Sequence, residues 1–414
     1  MSKAKVAEEE ILYERCCGLD VHKELIVACF RNGSKREVRS FGAMSKDLRE
    51  LAEWLIAGDC EMTAMESTGP YWKPVYNVLE LLGLDLMVVN AQHMKNVPGR
   101  KTDVNDAVWI AKLLAQGLLK PSFVPDREQR ELREVTRYRK SLTDERAREI
   151  NRVGKVLEGA NIKLTSTVKD VMGMSAKRLM YAALDGVMLD EDTIGQLIHS
   201  SMLEKKSMLA DAMDGIISKT QNFLLRSILE HIDDMARRIK ALDDFIEKEM
   251  SKYDEAIKKL DKVDGIGITS AQTILAEIGL DMSRFPTSGH LAVWSGVSPG
   301  NNISAGKRKS GKCPPGNKIL RATLIQCAQA AVLKKNTFLR AQYDRLLIRK
   351  GKNKAKVAVA HSMIVAIWHM LKEDVEYKEL GGDYYNKFNP EKKIARHLKQ
   401  LAALGWTPPV PVAS

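Results

Sequence analysis

What most constrains this chain is the alternation of strand and helix patterns over its first 120 residues. "RCCGLDV" and "LIVACFR" are apolar runs rich in β-formers. "REVRSFGAM" follows them through the turn "RNGS", which predicts three consecutive strands. "SKDLRELAEWLIAG" then changes period: Ser45 is placed to cap a helix, Leu48, Leu51 and Leu55 share one face, and Gly58 ends it. "EMTAMES" predicts a short strand and "GPYWKPVYNVLELLG" a helix with a proline near its start. "LDLMVVN" predicts a buried strand and "TDVNDAVWIAKLLAQG" another helix. Chains with the order βββαβαβα fold as a sheet between layers of helices, an α/β arrangement.

The order is that of a ribonuclease-H-like domain, in which the first and fourth strands are neighbours. It fills residues 1–125. From 126 to 260 the sequence becomes long, charged and helical. Ile228, Ile232, Met235, Ile239, Leu242, Ile246, Met250, Tyr253, Ile257 and Leu260 step by four and three with one stutter, the pattern of a coiled-coil seam. The first half of this region has a weaker seam, and residues 160–205 read as an insertion of shorter helices at the tip of an antiparallel pair. A mainly helical region, 261–375, opens with "LDKVDGIGITSAQTILAEIG". Gly265 and Gly267 between two helical stretches suit a helix-hairpin-helix-like element whose amides face a phosphate, although a plain helical hairpin also uses glycine there. Residues 376–414 read as a loosely ordered tail.

The formal net charge is +12, and it is concentrated. Between Ser304 and Lys356 stand fifteen Lys or Arg against one acid, Asp344, so the rest of the chain is close to neutral. An excess this local points to nucleic acid rather than to a merely solvated face. The six cysteines show no CxxC pair and no zinc-like spacing with histidine, as expected of reduced thiols in a cytoplasmic protein. "MSKAKVAEEE" has no apolar signal core, and "VAVAHSMIVAIWHML" is too short and polar to span a bilayer, so no membrane association is expected.

Four acids stand out. Asp20 ends an apolar strand, and Glu66 lies at another strand's end just before a helix. Asp103 and Asp106, three apart, open the helix that follows "RKT". Taken singly, Asp103 and Asp106 suit helix capping. Taken together, four carboxylates at the corner of one sheet would repel one another and favour a divalent metal. All-oxygen ligands suit Mg²⁺ or Mn²⁺. Arg100 and Lys101, just ahead, are placed to escort a phosphate. Tyr71 and Trp72 fit either a base-stacking role or core packing.

On "GLDVHK", "MESTGPYW", "KTDVNDA", "VDGIG…AEIG" and "WSGVSPGNN.SAGKRKSGK", the chain resembles the IS110 insertion-sequence transposases over residues 11–375. These DEDD enzymes have a RuvC-like domain similar to a Holliday-junction resolvase, and as bridge recombinases they are guided by a structured RNA. The resemblance implies that Asp20, Glu66, Asp103 and Asp106 form the metal-binding catalytic tetrad and that Ser304 is the nucleophile. Ser310 is the nearest competitor for that role. It further implies a covalent serine–DNA intermediate, donor and target DNA and a bridge RNA as partners, and a homo-oligomer, dimer or tetramer, with a composite site. Lys307, Arg308, Lys309, Lys312, Lys318 and Arg321 would neutralise phosphates. Two alternatives stay open: a hydrolytic Mg²⁺-dependent junction nuclease that does not need Ser304, and a non-enzymatic nucleic-acid scaffold whose acids are caps.

Overall fold

The computed structural model describes residues 11–67, 69–90, 106–300, 302–304, 307–387 and 390–406. They divide into two compact units, Met1–Arg127 and Glu128–Ser414.

The first unit is built on a five-stranded sheet of β1 (Arg15–Val21), β2 (Leu25–Asn32), β3 (Lys35–Gly42), β4 (Met62–Glu66) and β5 (Leu86–Val89), in the order β3-β2-β1-β4-β5. β1 pairs antiparallel with β2 and β2 with β3, whereas β4 and β5 run parallel to β1. The predicted adjacency of the first and fourth strands is therefore present. Helices α1 (Ser45–Ala57) and α2 (Trp72–Leu81) cover one face, where Cys17, Leu19 and Met65 pack with Leu48, Leu51, Leu55 and Leu79. Helix α3 (Asp106–Ala115) covers the other, where Cys16, Ala64 and Val89 meet Ile110, Leu113 and Leu114. Ser45 is the first residue of α1 rather than its cap. The N-cap is Met44, and the carboxylate of Asp47 in the first turn reaches back to accept its backbone N–H at 3.2 Å.

Gly18 sets how close α3 lies to the sheet. A Cβ there would stand 2.4 Å from both the Ala107 carbonyl oxygen and the Ala111 nitrogen, which are backbone atoms that cannot swing aside. Gly18→Ala is expected to lower stability by about 1–3 kcal/mol by overpacking, read as a fall in the urea midpoint at unchanged m.

In the second unit, α4 (Arg127–Gly159) and α5 (Lys219–Glu249) are the long helices. Arg139 of α4 bonds Asp243 of α5, Glu145 lies 3.8 Å from His231, and Gly159 faces Gln221, so the two run antiparallel. The seam expected along one helix to Leu260 is interrupted. α5 stops at Glu249, a short 3₁₀ turn spans Ser251–Tyr253, and α6 (Asp254–Asp261) takes over. Met250, Tyr253, Ile257 and Leu260 are still buried, but Ile239 and Leu242 are only half-buried. The segment read as an insertion has its own apolar content: Leu164, Leu179, Met180 and Ile194 form one core with Leu209 just beyond it, Val153 and Leu157 of α4, and Leu225, Ile228, Leu229, Ile232 and Met235 of α5.

Helices α7 (Ile268–Ile278), α8 (Lys318–Ala331), α9 (Phe338–Lys350) and α10 (Lys352–Glu373) build the mainly helical region. Gly265, with φ of +86°, touches α8: a Cβ there would lie 2.3 Å from the Cys327 carbonyl oxygen. Its close approach is to protein backbone, whereas Gly267 has open space around it. The tail is more regular than expected, because Ile394, Leu398 and Leu401 lie on one face of a helix, Pro390–Ala403. Among the described residues, no helix is long and apolar enough to cross a membrane. All six cysteines are free, and burial pushes the Cys16 thiol up to about 12.

Candidate active site

Register brings the acids of the first unit to one corner. The last paired residues of β1 and β4 are Leu19 and Met65, and both point into the core beneath α1 and α2. One step on, Asp20 and Glu66 stand side by side and, by the two-residue alternation of strands, face the opposite way, towards α3. Neighbouring strands agree. Asp20 pairs with Val27, which packs beside Ala107 and Val108 of α3, and Glu66 pairs with Val89, which packs against the same helix. Asp106 is the first residue of that helix, one before Ala107, whose carbonyl overlies Gly18. The absence of a side chain at Gly18 thus lets the first turn of α3 approach the strand that carries Asp20.

Asp103, Arg100 and Lys101 lie outside the described residues, so of the four acids that the resemblance implies, Asp20, Glu66 and Asp106 are described and Asp103 is not. Among the described residues, no three His, Cys, Asp or Glu side chains come close enough to hold a metal ion. The placed acids nonetheless suit a hard cation in kind: they are carboxylates at the open end of two parallel strands, and the Asp20 side chain is about a quarter exposed. One neighbour was not anticipated. His22 Nε2 lies 3.2 Å from Asp20 Oδ2. The signal for it is the two-residue spacing in "DVH", which puts both side chains on the same side of an extended chain. Trp72 is partly buried against the sheet core and meets Tyr76 edge-on, while Tyr71 is exposed, so Tyr71 is the more open of the two aromatics.

The serine loop of the second unit is a short hairpin, β6 (Asn302–Ser304) and β7 (Lys307–Ser310), paired antiparallel with Ser304 opposite Lys307. The side chains of Ser304, Arg308 and Lys309 lie outside the described residues. Ser310 Oγ accepts the Lys312 N–H at 3.1 Å, so the competing serine is used in a local turn. Lys307, Lys312 and Lys318 are exposed and Arg321 is half-buried.

The glycines flanking the loop close its foot. A Cβ at Gly316 would stand 2.4 Å from the Gly296 nitrogen, and one at Gly300 would stand 2.2 Å from the Lys312 carbonyl oxygen. Next to that foot lies an ionic network that sequence reading missed. Glu277, fully buried on α7, accepts two bonds from Arg137 at 2.6 and 2.8 Å, and one from the Asn317 amide at 2.6 Å. Arg133 Nε lies 3.4 Å away. Asn317 in turn caps α8 through the Ile319 and Leu320 N–H groups. The hydrogen bonds that Arg137 donates to Glu277, with that carboxylate's charge, raise its guanidinium above its ordinary value. In sequence, Glu277 is one acid among helix residues, and the arginines lie about 140 positions away. Nothing local announces the pairing.

Comparison with known proteins agrees with this layout. A family model described as "Transposase", of the DEDD IS110 kind, matches residues 17–162, and one described as "Transposase IS116/IS110/IS902 family" matches residues 257–344. The chain is 25% identical over 312 residues to the transposase for insertion sequence element IS1111A of Coxiella burnetii, covering 73% of this chain and 76% of that protein. It is 23% identical over 399 residues to the putative transposase y4qE of Sinorhizobium fredii, covering 87% and 89%. It is also 30% identical over 122 residues to the insertion element IS110 uncharacterized 43.6 kDa protein of Streptomyces coelicolor, 29% of each chain. With both family models matched in order along one polypeptide, the chain belongs to the IS110-family transposases, enzymes that act on DNA.

Proposed function

We propose that the protein exchanges DNA strands at the ends of an insertion sequence through a covalent bond to Ser304, guided by a structured RNA, in the cytoplasm and as a homo-oligomer. The first unit is read as a RuvC-like domain and α4 with α5 as a coiled-coil arm. The observation that carries the reading is the register that sets Asp20 beside Glu66 on the face covered by α3, whose first residue is Asp106. Asp20, Glu66, Asp103 and Asp106 would hold Mg²⁺ or Mn²⁺. Bound there, such an ion would supply positive charge to offset the charge that builds on the reacting phosphate.

The protein's own groups do the rest. Ser304 Oγ bonds to phosphorus as the bond to the departing sugar oxygen breaks. The serine proton is lost and the sugar oxygen gains one. A sugar hydroxyl of the other strand then displaces the serine, which is restored. Lys307, Arg308, Lys309, Lys312, Lys318 and Arg321, with Arg100 and Lys101, neutralise the phosphates that must approach one another. Use of Ser310 by a backbone N–H supports Ser304 as the nucleophile.

The test is strand exchange on labelled DNA carrying joined element ends, with purified protein, the element's RNA and Mg²⁺. Exchange should need all three, and Ser304→Ala should abolish it while Ser310→Ala keeps it. Cleavage that survives Ser304→Ala would make the enzyme a hydrolytic nuclease.

A further inference from the structure

A cavity of about 850 Å³ opens at the foot of the serine hairpin, within the size range of ligand sites. One wall is the loop itself, with Pro299 on the incoming side and Ser310 to Cys313 on the outgoing side; the other comes from α9 and α10. Its surface has two characters. Val297, Pro299, Leu346 and Val357 make an aliphatic wall, whereas Lys312, Arg321, Lys350 and Lys354 bring four cations, and among the described residues that line it there is no carboxylate. None of these four cations is in an ion pair among the described residues, whereas Lys252, Lys259, Lys262 and Lys334 of the same unit each have an acidic partner. Neutral hydrogen-bonding groups, Gln342, Asn353 and His361 among them, lie between the two. Gln342 is held by a 2.8 Å bond to Ser362 Oγ, and burial pushes the His361 imidazole below its ordinary value.

A ligand that satisfies this lining carries negative charge at one end and a flat apolar body with polar edges at the other. A duplex presents its phosphates outward and its bases stacked inside, so it would meet the rim and leave the wall bare. An unpaired nucleotide meets both. Location narrows the choice. Ser310 on the cavity wall pairs with Asn302, and Ser304 lies two residues further along the same strand, about 7 Å away at strand rise. We infer that the cavity receives an unpaired nucleotide of the DNA strand next to the phosphate at Ser304, its base against the aliphatic wall and its phosphate on the lysine and arginine rim. The DNA source rests on the function proposed above; the nucleotide chemistry rests on the cavity alone.

The experiment titrates full-length protein against a fluorescein-labelled oligothymidylate and against a labelled duplex at one fixed salt concentration. Ala358→Trp, which fills the cavity from α10, should weaken single-strand binding about tenfold and duplex binding by less than about twofold. Lys350→Gln with Lys354→Gln removes two exposed cations that no fold contact needs. It should weaken single-strand binding more than duplex binding at an unchanged melting temperature, which covers the case in which the tryptophan variant misfolds. Equal losses on both DNAs, or no loss on either, overturn the proposal. Thymidine monophosphate competing as well as the oligonucleotide would overturn the strand as the source. Inorganic phosphate should not compete. Because binding needs no nucleophile, Ser304→Ala should bind single strands as the wild type does. Selective loss in Ala358→Trp without any serine adduct in the wild type would reject the nucleophile and keep the cavity.

Discussion

Asp20→Asn is expected to lower the strand-exchange rate by about three orders of magnitude while leaving DNA binding and the melting temperature nearly unchanged. Asparagine keeps the volume and the strand conformation but removes the charge that a divalent cation needs from this position. Metal-assisted charge stabilisation is worth several kcal/mol at a phosphoryl transition state, which converts to about that factor. Stability should hold because the position is partly exposed and the only described partner of its carboxylate, His22, is more exposed still. Glu66→Gln should behave alike, since register sets it beside Asp20. On the proposed reading, in which both hold one ion, the pair of variants should cost little more than either one. Single-turnover exchange at saturating DNA checks this. Activity within about tenfold of wild type would mean that these acids serve as caps and sheet-end residues only.

Glu277→Ala should destabilise the second unit by about 3–5 kcal/mol, the cost of leaving buried arginine without its counter-charge. Arg137 would lose its two-bond fork, Arg133 its nearest carboxylate and Asn317 its acceptor. The damage should spread to the serine loop, because Asn317 closes the loop and caps α8. Glu277→Gln, which keeps one acceptor oxygen, should cost less. Urea unfolding followed by circular dichroism measures both. A loss under about 1 kcal/mol for the alanine variant would mean that the network behaves as an exposed ion pair, against the full burial of Glu277.

The sheet was legible because its signals are local. Alternation and turn residues marked each strand, and a helix between parallel strands forces a crossover that sets β1 beside β4. The acids were legible for the same reason: a charge that ends an apolar run, as Asp20 does in "CCGLDV", needs a site or water. What escaped were pairings over long separations. The packing of the 160–205 helices on α4 and α5 and the grip of Glu277 on two arginines depend on which surfaces meet, and no periodicity encodes that. The seam to Leu260 does not mark the helix break, because buried positions recur at the same spacing on both sides of it. Glycines were legible as marks but not as roles. Gly18, Gly265 and Gly316 each admit a backbone segment, and the neighbour in question is distant in sequence in two of the three.

The most direct test of the account is chemical capture of the intermediate. Wild-type protein, the element's RNA, Mg²⁺ and labelled DNA with joined element ends would be quenched in denaturant, digested with protease and mapped by mass spectrometry. The account predicts a nucleotide linked to Ser304, absent without RNA and absent in Asp20→Asn. Cut DNA with free ends and no linked peptide, or a link at Ser310, would contradict it.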